Sequence, residues 1–125
     1  MQNQGVETEP DVASFRLRVR PRGLVGYAKA GEWLEYTIDV QTPGAATFAF
    51  RVAAAGSNGK FHAEIDGVEV TGALTVPNTG GWQTWMTVTK TGVNLTAGLH
   101  VLRLKMDTDG SSGYVGNFNW IRVSM

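Results

Sequence analysis

An all-β sandwich is the fold this sequence predicts, on three observations. Short runs of alternating apolar and polar residues, rich in Val and Thr, recur along the chain. Turn residues separate them, with 16 Gly in 125 residues. No window of about a dozen residues combines helical apolar spacing with caps at both ends.

The elements follow in order. Phe15-Arg16-Leu17-Arg18-Val19-Arg20-Pro21-Arg22 alternates apolar residues with Arg. It fits an edge strand with Phe15, Leu17 and Val19 toward the core and Arg in water, ended by Pro21. An anion-binding strip is the alternative. Trp33–Val40 is the next strand, with Leu34, Tyr36, Ile38 and Val40 on one face. Its other face carries Trp33, Glu35, Thr37 and Asp39, one ring among polar groups. Strands are then expected at Thr47–Ala54, Phe61–Ile65, Ala73–Val76, Thr84–Thr89, His100–Met106 and Asn117–Val123. Asp66-Gly67 is a hairpin signal and Thr96-Ala97-Gly98 a second turn. Strands at this number and spacing favour a sandwich over a meander.

Length is compatible with one domain over residues 1–125 that has a proper core. The 11 basic and 11 acidic residues cancel, so no global field attracts nucleic acid or a membrane surface. The absence of Cys removes disulfides, thiolate chemistry and Cys-ligated metals. Neither a signal peptide nor an apolar run of roughly 18 residues is present, so no membrane span is expected.

Two stretches carry the functional signal. In Thr79-Gly80-Gly81-Trp82-Gln83-Thr84-Trp85 a Trp follows a Gly pair, where the backbone turns sharply and the indole can stay exposed. In Gly116-Asn117-Phe118-Asn119-Trp120 amides alternate with aromatics, which in a regular strand face opposite ways. A flat ring beside an amide that donates and accepts suits a sugar, with its C–H face and hydroxyl rim. Carbohydrate binding is the implied chemistry. Trp85 and Trp120 read as core. His62 and His100 lack acidic partners at metal-ligand spacing and read as structural or exposed. Among the 11 acids no pair sits in a recognisable glycosidase frame, and Glu32, Glu35 and Asp39 look like a solvated face. Asp107 and Asp109 lack the downstream Glu of a calcium loop. No enzyme is expected.

From Val25 the chain resembles the family 6 carbohydrate-binding modules. The resemblance rests on Val25-Gly26-Tyr27-Ala28-Lys29-Ala30-Gly31-Glu32-Trp33-Leu34-Glu35-Tyr36 and Asn78-Thr79-Gly80-Gly81-Trp82-Gln83-Thr84-Trp85. It continues through Val93-Asn94-Leu95-Thr96-Ala97-Gly98-Leu99-His100 and Asn117-Phe118-Asn119-Trp120-Ile121, in order. Gly5-Val6-Glu7-Thr8-Glu9 resembles the segment leading into the family's ligand loop. The resemblance implies a jelly-roll sandwich of the galactose-binding-domain-like type and an extracellular, non-catalytic module. Its ligands would be oligo- or polysaccharides of xylan, β-glucan or agar type. By the same resemblance Tyr27 and Trp82 sandwich a sugar, Asn117 hydrogen-bonds its hydroxyls, and Glu9 adds a polar contact. Trp33 corresponds to the aromatic of a second cleft found in some members.

Two departures shape further expectations. The family's opening strand with a Glu-Ala-Glu-like segment and its acid after the last strand usually supply a structural calcium site. Here neither is present, and calcium needs six or more oxygens, so no metal or other cofactor is expected. Residues 12–22 replace a short Gly-rich loop, and the Arg-rich run is expected to dock in place of the absent strand. From another class, an interaction module that self-associates through an exposed sheet edge as a homodimer is the alternative.

Overall fold

The computed structural model describes the backbone of residues 6–8, 14–18 and 25–125, and side chains from Tyr27 onward. Glu9 and Val19 lie outside the described residues. The described residues contain strands and no helix.

The strands are β1 (Val6–Thr8), β2 (Ser14–Arg18), β3 (Val25–Ala28), β4 (Trp33–Val40), β5 (Gly44–Ala54) and β6 (Gly59–Ile65). They continue with β7 (Val68–Glu69), β8 (Leu74–Val76), β9 (Gly81–Leu95), β10 (Gly98–Thr108) and β11 (Gly116–Ser124). One sheet runs β1-β2-β11-β5-β9, with β3 also on β11; the other runs β4-β10-β6-β7, with β8 on β6. Every pairing is antiparallel.

The core lies between the sheets and follows from the alternation. Leu34, Tyr36 and Ile38 of β4, Phe48, Phe50 and Val52 of β5, and Leu102, Leu104 and Met106 of β10 are buried. Phe61 bridges the layers: its ring meets Phe50 and Phe118 edge-on, each at 5.1 Å between centroids. Truncating such a residue to Ala typically costs about 3–5 kcal/mol, so Phe61→Ala would break the contact between the layers. Asp66 and Gly67 both take positive φ, 51° and 84°, and close the β6–β7 hairpin as their Asp-Gly sequence requires.

β4 coincides with the strand expected from alternation, whereas β9 is far longer than Thr84–Thr89. Among the described residues it is the last strand of its sheet, and it is Thr-rich, so little of it is buried and its apolar pattern is weak. The Arg-rich segment is a strand, but not an edge. β2 pairs with β11 on one side and β1 on the other, and its Leu17 and Phe15 stand opposite the buried Ile121 and Val123.

β11 and β9 each correct one assignment. Phe118 pairs with Val52 and Trp120 with Arg51, so Asn119 is an extra residue in the ladder. This bulge reverses the faces: Phe118, Ile121 and Val123 are in the core, and Trp120, expected there, is half-buried on the outside. Arg122 stacks on it at 5.5 Å. Trp85 is not core either, because β9 leaves the ladder between the Ala54–Gly81 and Val52–Met86 pairs. It is half-buried, with the Arg51 guanidinium 5.9 Å from its ring.

Candidate functional site

Three segments converge at one end of the β11-containing sheet. β3 brings Tyr27, the start of β9 brings Trp82, and the start of β11 brings Asn117. The turn before Trp82 is built locally. Asn78 Oδ1 accepts the Gly80 N–H at 3.0 Å, and Gly80 takes φ 94°, which its missing Cβ permits. Thr79 Oγ accepts the Ala54 N–H at 3.0 Å and donates to the Gly81 carbonyl at 2.9 Å. Trp82 therefore emerges from a pinned turn and packs partly on the core.

Asn117 is 2% exposed, and its amide is engaged at both ends. Oδ1 accepts the Tyr27 N–H at 2.7 Å, and Nδ2 donates to the Trp82 carbonyl at 2.7 Å. Tyr27 takes φ 55°, a costly region for a non-Gly residue, and the Asn117 bond at its N–H helps hold it there. These two bonds use one N–H and one lone pair of the amide, out of two of each.

The two rings meet. The Tyr27 and Trp82 centroids are 5.0 Å apart with planes inclined at 53°. A sugar packed between two rings needs roughly 7–8 Å, two contact distances of 3.5–4.0 Å, so this arrangement is a closed cluster and not yet a sandwich. Tyr114 completes it, 5.2 Å from Tyr27 and 6.0 Å from Trp82. The Lys29 ammonium lies 5.3 Å from the Tyr114 centroid. Sequence reasoning missed Tyr114, although it has the same Gly-flanked setting that singled out Trp82.

Trp33 is 38% exposed on the outer face of the other sheet, where the Arg103 guanidinium stands 4.9 Å from its ring. Glu35 accepts from Arg103 at 2.7 and 3.0 Å, so cation and ring are held as one unit. Trp33 is thus apart from the Tyr27 cluster.

Both histidines have acidic partners that sequence spacing concealed. His62, 8% exposed on β6, has Nδ1 2.7 Å from Asp107 Oδ2 and Nε2 2.7 Å from Glu64 Oε2. A carboxylate on each nitrogen favours the doubly protonated ring. Burial opposes that charge, but the bonds from Asp107 and Glu64, with Glu69 nearby, prevail and raise its pKa above the usual 6.5. His100 is raised by Asp66, 2.6 Å from Nδ1, and by the Thr96 carbonyl. Asp66 is lowered by the Val101 N–H and then by His100. Asp107 is therefore occupied by His62, and Asp109 accepts the Ala30 N–H at 2.8 Å. No group of three or more metal-ligating side chains is gathered among the described residues.

All of residues 1–125 match carbohydrate binding module family 6. The chain belongs to this family. As a family 6 module it is similar to the C-terminal family 6 module of the marine laminarinase LamC from Zobellia galactanivorans. The two share 39% identity at a TM-score of 0.72, over 82% of this chain and 79% of that one. A family 6 module of Cellvibrio mixtus lichenase 5A, solved with cellotriose, is 31% identical, with a TM-score of 0.68 over 98% of this chain and 85% of that one. The clotting factor G alpha subunit of Tachypleus tridentatus is 34% identical over 96 residues, 75% of this chain. The chain spans only 13% of that relative. Family 6 modules bind carbohydrate and are generally not catalytic.

Proposed function

We propose that this module binds a β-linked glucan, as a chain end or short oligosaccharide, at the Tyr27–Trp82–Asn117 cluster. The carrying observation is the Asn117 amide, which ties the backbones of both ring-bearing residues and so sets the two rings side by side. β-Glucan is favoured over xylan and agar-type chains because a related module is complexed with cellotriose and another belongs to a laminarinase. Glu9 is assigned a polar contact at the rim. The module acts without catalysis and without calcium, outside the cell.

Binding is weak. A fully buried aromatic removes about 150–250 Å², and a sugar covers only part of each ring. At about 25 cal/mol per Å² two half-covered rings yield a few kcal/mol, and association costs remove much of that. Dissociation constants between ~10 µM and ~1 mM follow.

Calorimetric titration with laminarihexaose, cellohexaose and xylohexaose tests the reading. Saturable binding of at least one, abolished by Trp82→Ala, is expected. Undiminished binding by Trp82→Ala would move the site elsewhere.

A further inference from the structure

Tyr114 has no part in the site as assigned so far, yet it is the ring on which Tyr27 leans. Because Tyr27 and Trp82 are 5.0 Å apart, a sugar enters between them only if one ring yields. Trp82 is poorly placed to yield: it packs on the core and its turn is pinned by Thr79 and Asn117. Tyr27 is 54% exposed and restrained at its backbone N–H, which leaves its side-chain torsions free.

What stops Tyr27 is fixed. Tyr114 belongs to the β10–β11 loop, which is locked against the β5–β6 loop. Ser111 N–H donates to the Ser57 carbonyl at 2.8 Å, and Ser57 N–H donates to Ser111 Oγ at 3.0 Å. The two loops approach so closely that a Cβ on Gly56 would lie 2.7 Å from Ser112 N, and one on Gly110 would lie 2.5 Å from the Ser57 carbonyl oxygen. The Gly110 N–H closes the loop on the Tyr114 carbonyl at 2.9 Å. Lys29 adds its ammonium to the ring.

We propose that Tyr114 is a positioning residue of the glycan site, the fixed wall that receives Tyr27 when a sugar parts it from Trp82. This rests on the glycan-binding reading of Tyr27 and Trp82. The wall sets how far the site opens, and so selects a sugar slab of one thickness. Its ring is what matters: among the described residues aromatic contact is what links it to Tyr27.

The test uses the whole chain and laminarihexaose, with cellohexaose and xylohexaose alongside. Loss of one aromatic pair predicts about three- to tenfold weaker binding for Tyr114→Leu, whereas Tyr114→Phe stays within about twofold of the parent. Equal weakening by Leu and Phe, or none by Leu while Trp82→Ala abolishes binding, overturns the wall and leaves the glycan reading standing. Failure of the parent chain to bind any of the three oligosaccharides overturns both. Proton nuclear Overhauser contacts in the parent chain give a readout independent of variant folding. On saturation with the sugar, Tyr27–Trp82 ring contacts should vanish and Tyr27–Tyr114 contacts persist. The reverse pattern overturns the proposal.

Discussion

The side chain of Asn117 joins Tyr27 to Trp82 through their main chains, taking the N–H of one and giving to the carbonyl of the other, both at 2.7 Å. Residues 27 and 82 are distant in sequence and lie on different strands of one sheet, so this amide is a structural tie as well as a polar group beside the rings. Asn117→Ala should therefore behave unlike an ordinary contact deletion. It leaves two backbone groups without their partner, at a cost of about 1–3 kcal/mol each where they are buried. A lower melting temperature together with lost glycan binding is the expected outcome. Lost binding at an unchanged melting temperature would make Asn117 a ligand contact alone.

Trp33 should report a different surface. Its ring is already engaged by Arg103, itself held by Glu35. A sugar at this second cleft would have to displace a charge-supported stack. Calorimetry of Trp33→Ala is expected to give the stoichiometry and affinity of the parent within about twofold. A drop from two sites to one would establish the second cleft.

Stability should fall as pH rises above neutrality. His62 and His100 have folded pKa values raised above 6.5. Their contribution is fully present below that value and is lost as pH climbs through the raised folded values. Asp66 is depressed below 3.8, so its part is present above that value and lost only as pH falls further. Melting temperature should decline from about pH 6.5 upward, and His62→Gln with His100→Gln should flatten the decline. An unaltered slope in the double variant would assign it to other groups.

Calcium should matter little. Asp107 and Asp109 are committed to His62 and the Ala30 N–H. Addition of calcium after chelation is expected to leave the melting curve in place. A rise of more than about 5 °C, roughly 1 kcal/mol or more at this size, would establish a site.

The β2 segment offers a paired test. Leu17 stands opposite the fully buried Ile121, and Arg18 opposite half-buried Trp120. Leu17→Asp should lower stability more than Arg18→Asp, because a charge opposite the core is the costlier change. Equal effects in chemical denaturation would contradict the docking of this strand.

Much of the sandwich was legible in period-two patterning because both sheets bury one face. β4 and the Asp66-Gly67 hairpin show this best, since alternation and turn chemistry act within a few residues. Trp85 and Trp120 were misplaced for a related reason. Aromatics in strands are usually core, but here bulges change which face they occupy, and a bulge leaves no composition signal. In the candidate site, Trp82 stood out by its Gly neighbours and Asn117 by its alternation with aromatics, whereas Tyr27 came only with the family resemblance. The tie between them did not stand out, because it depends on strands remote in sequence. His62 was unreadable likewise: one acidic partner lies two residues away, but Asp107 comes from β10.

The extra residue in β11 works like a change of reading frame within one strand. Upstream of Asn119 the alternation aims Asn117 at the rings and Phe118 at the core; downstream it is reset so that Ile121 and Val123 face inward. Deleting Asn119 would leave Phe118 two positions from Ile121, so a regular strand could keep both facing the core; it is the retained residue that makes the bulge necessary. Were Asn119 instead drawn into a regular ladder while Ile121 and Val123 held their place, Asn117 would turn inward and Phe118 outward, and the tie between Tyr27 and Trp82 would be severed. The facing of this whole end of the molecule thus depends on one residue being kept out of the ladder.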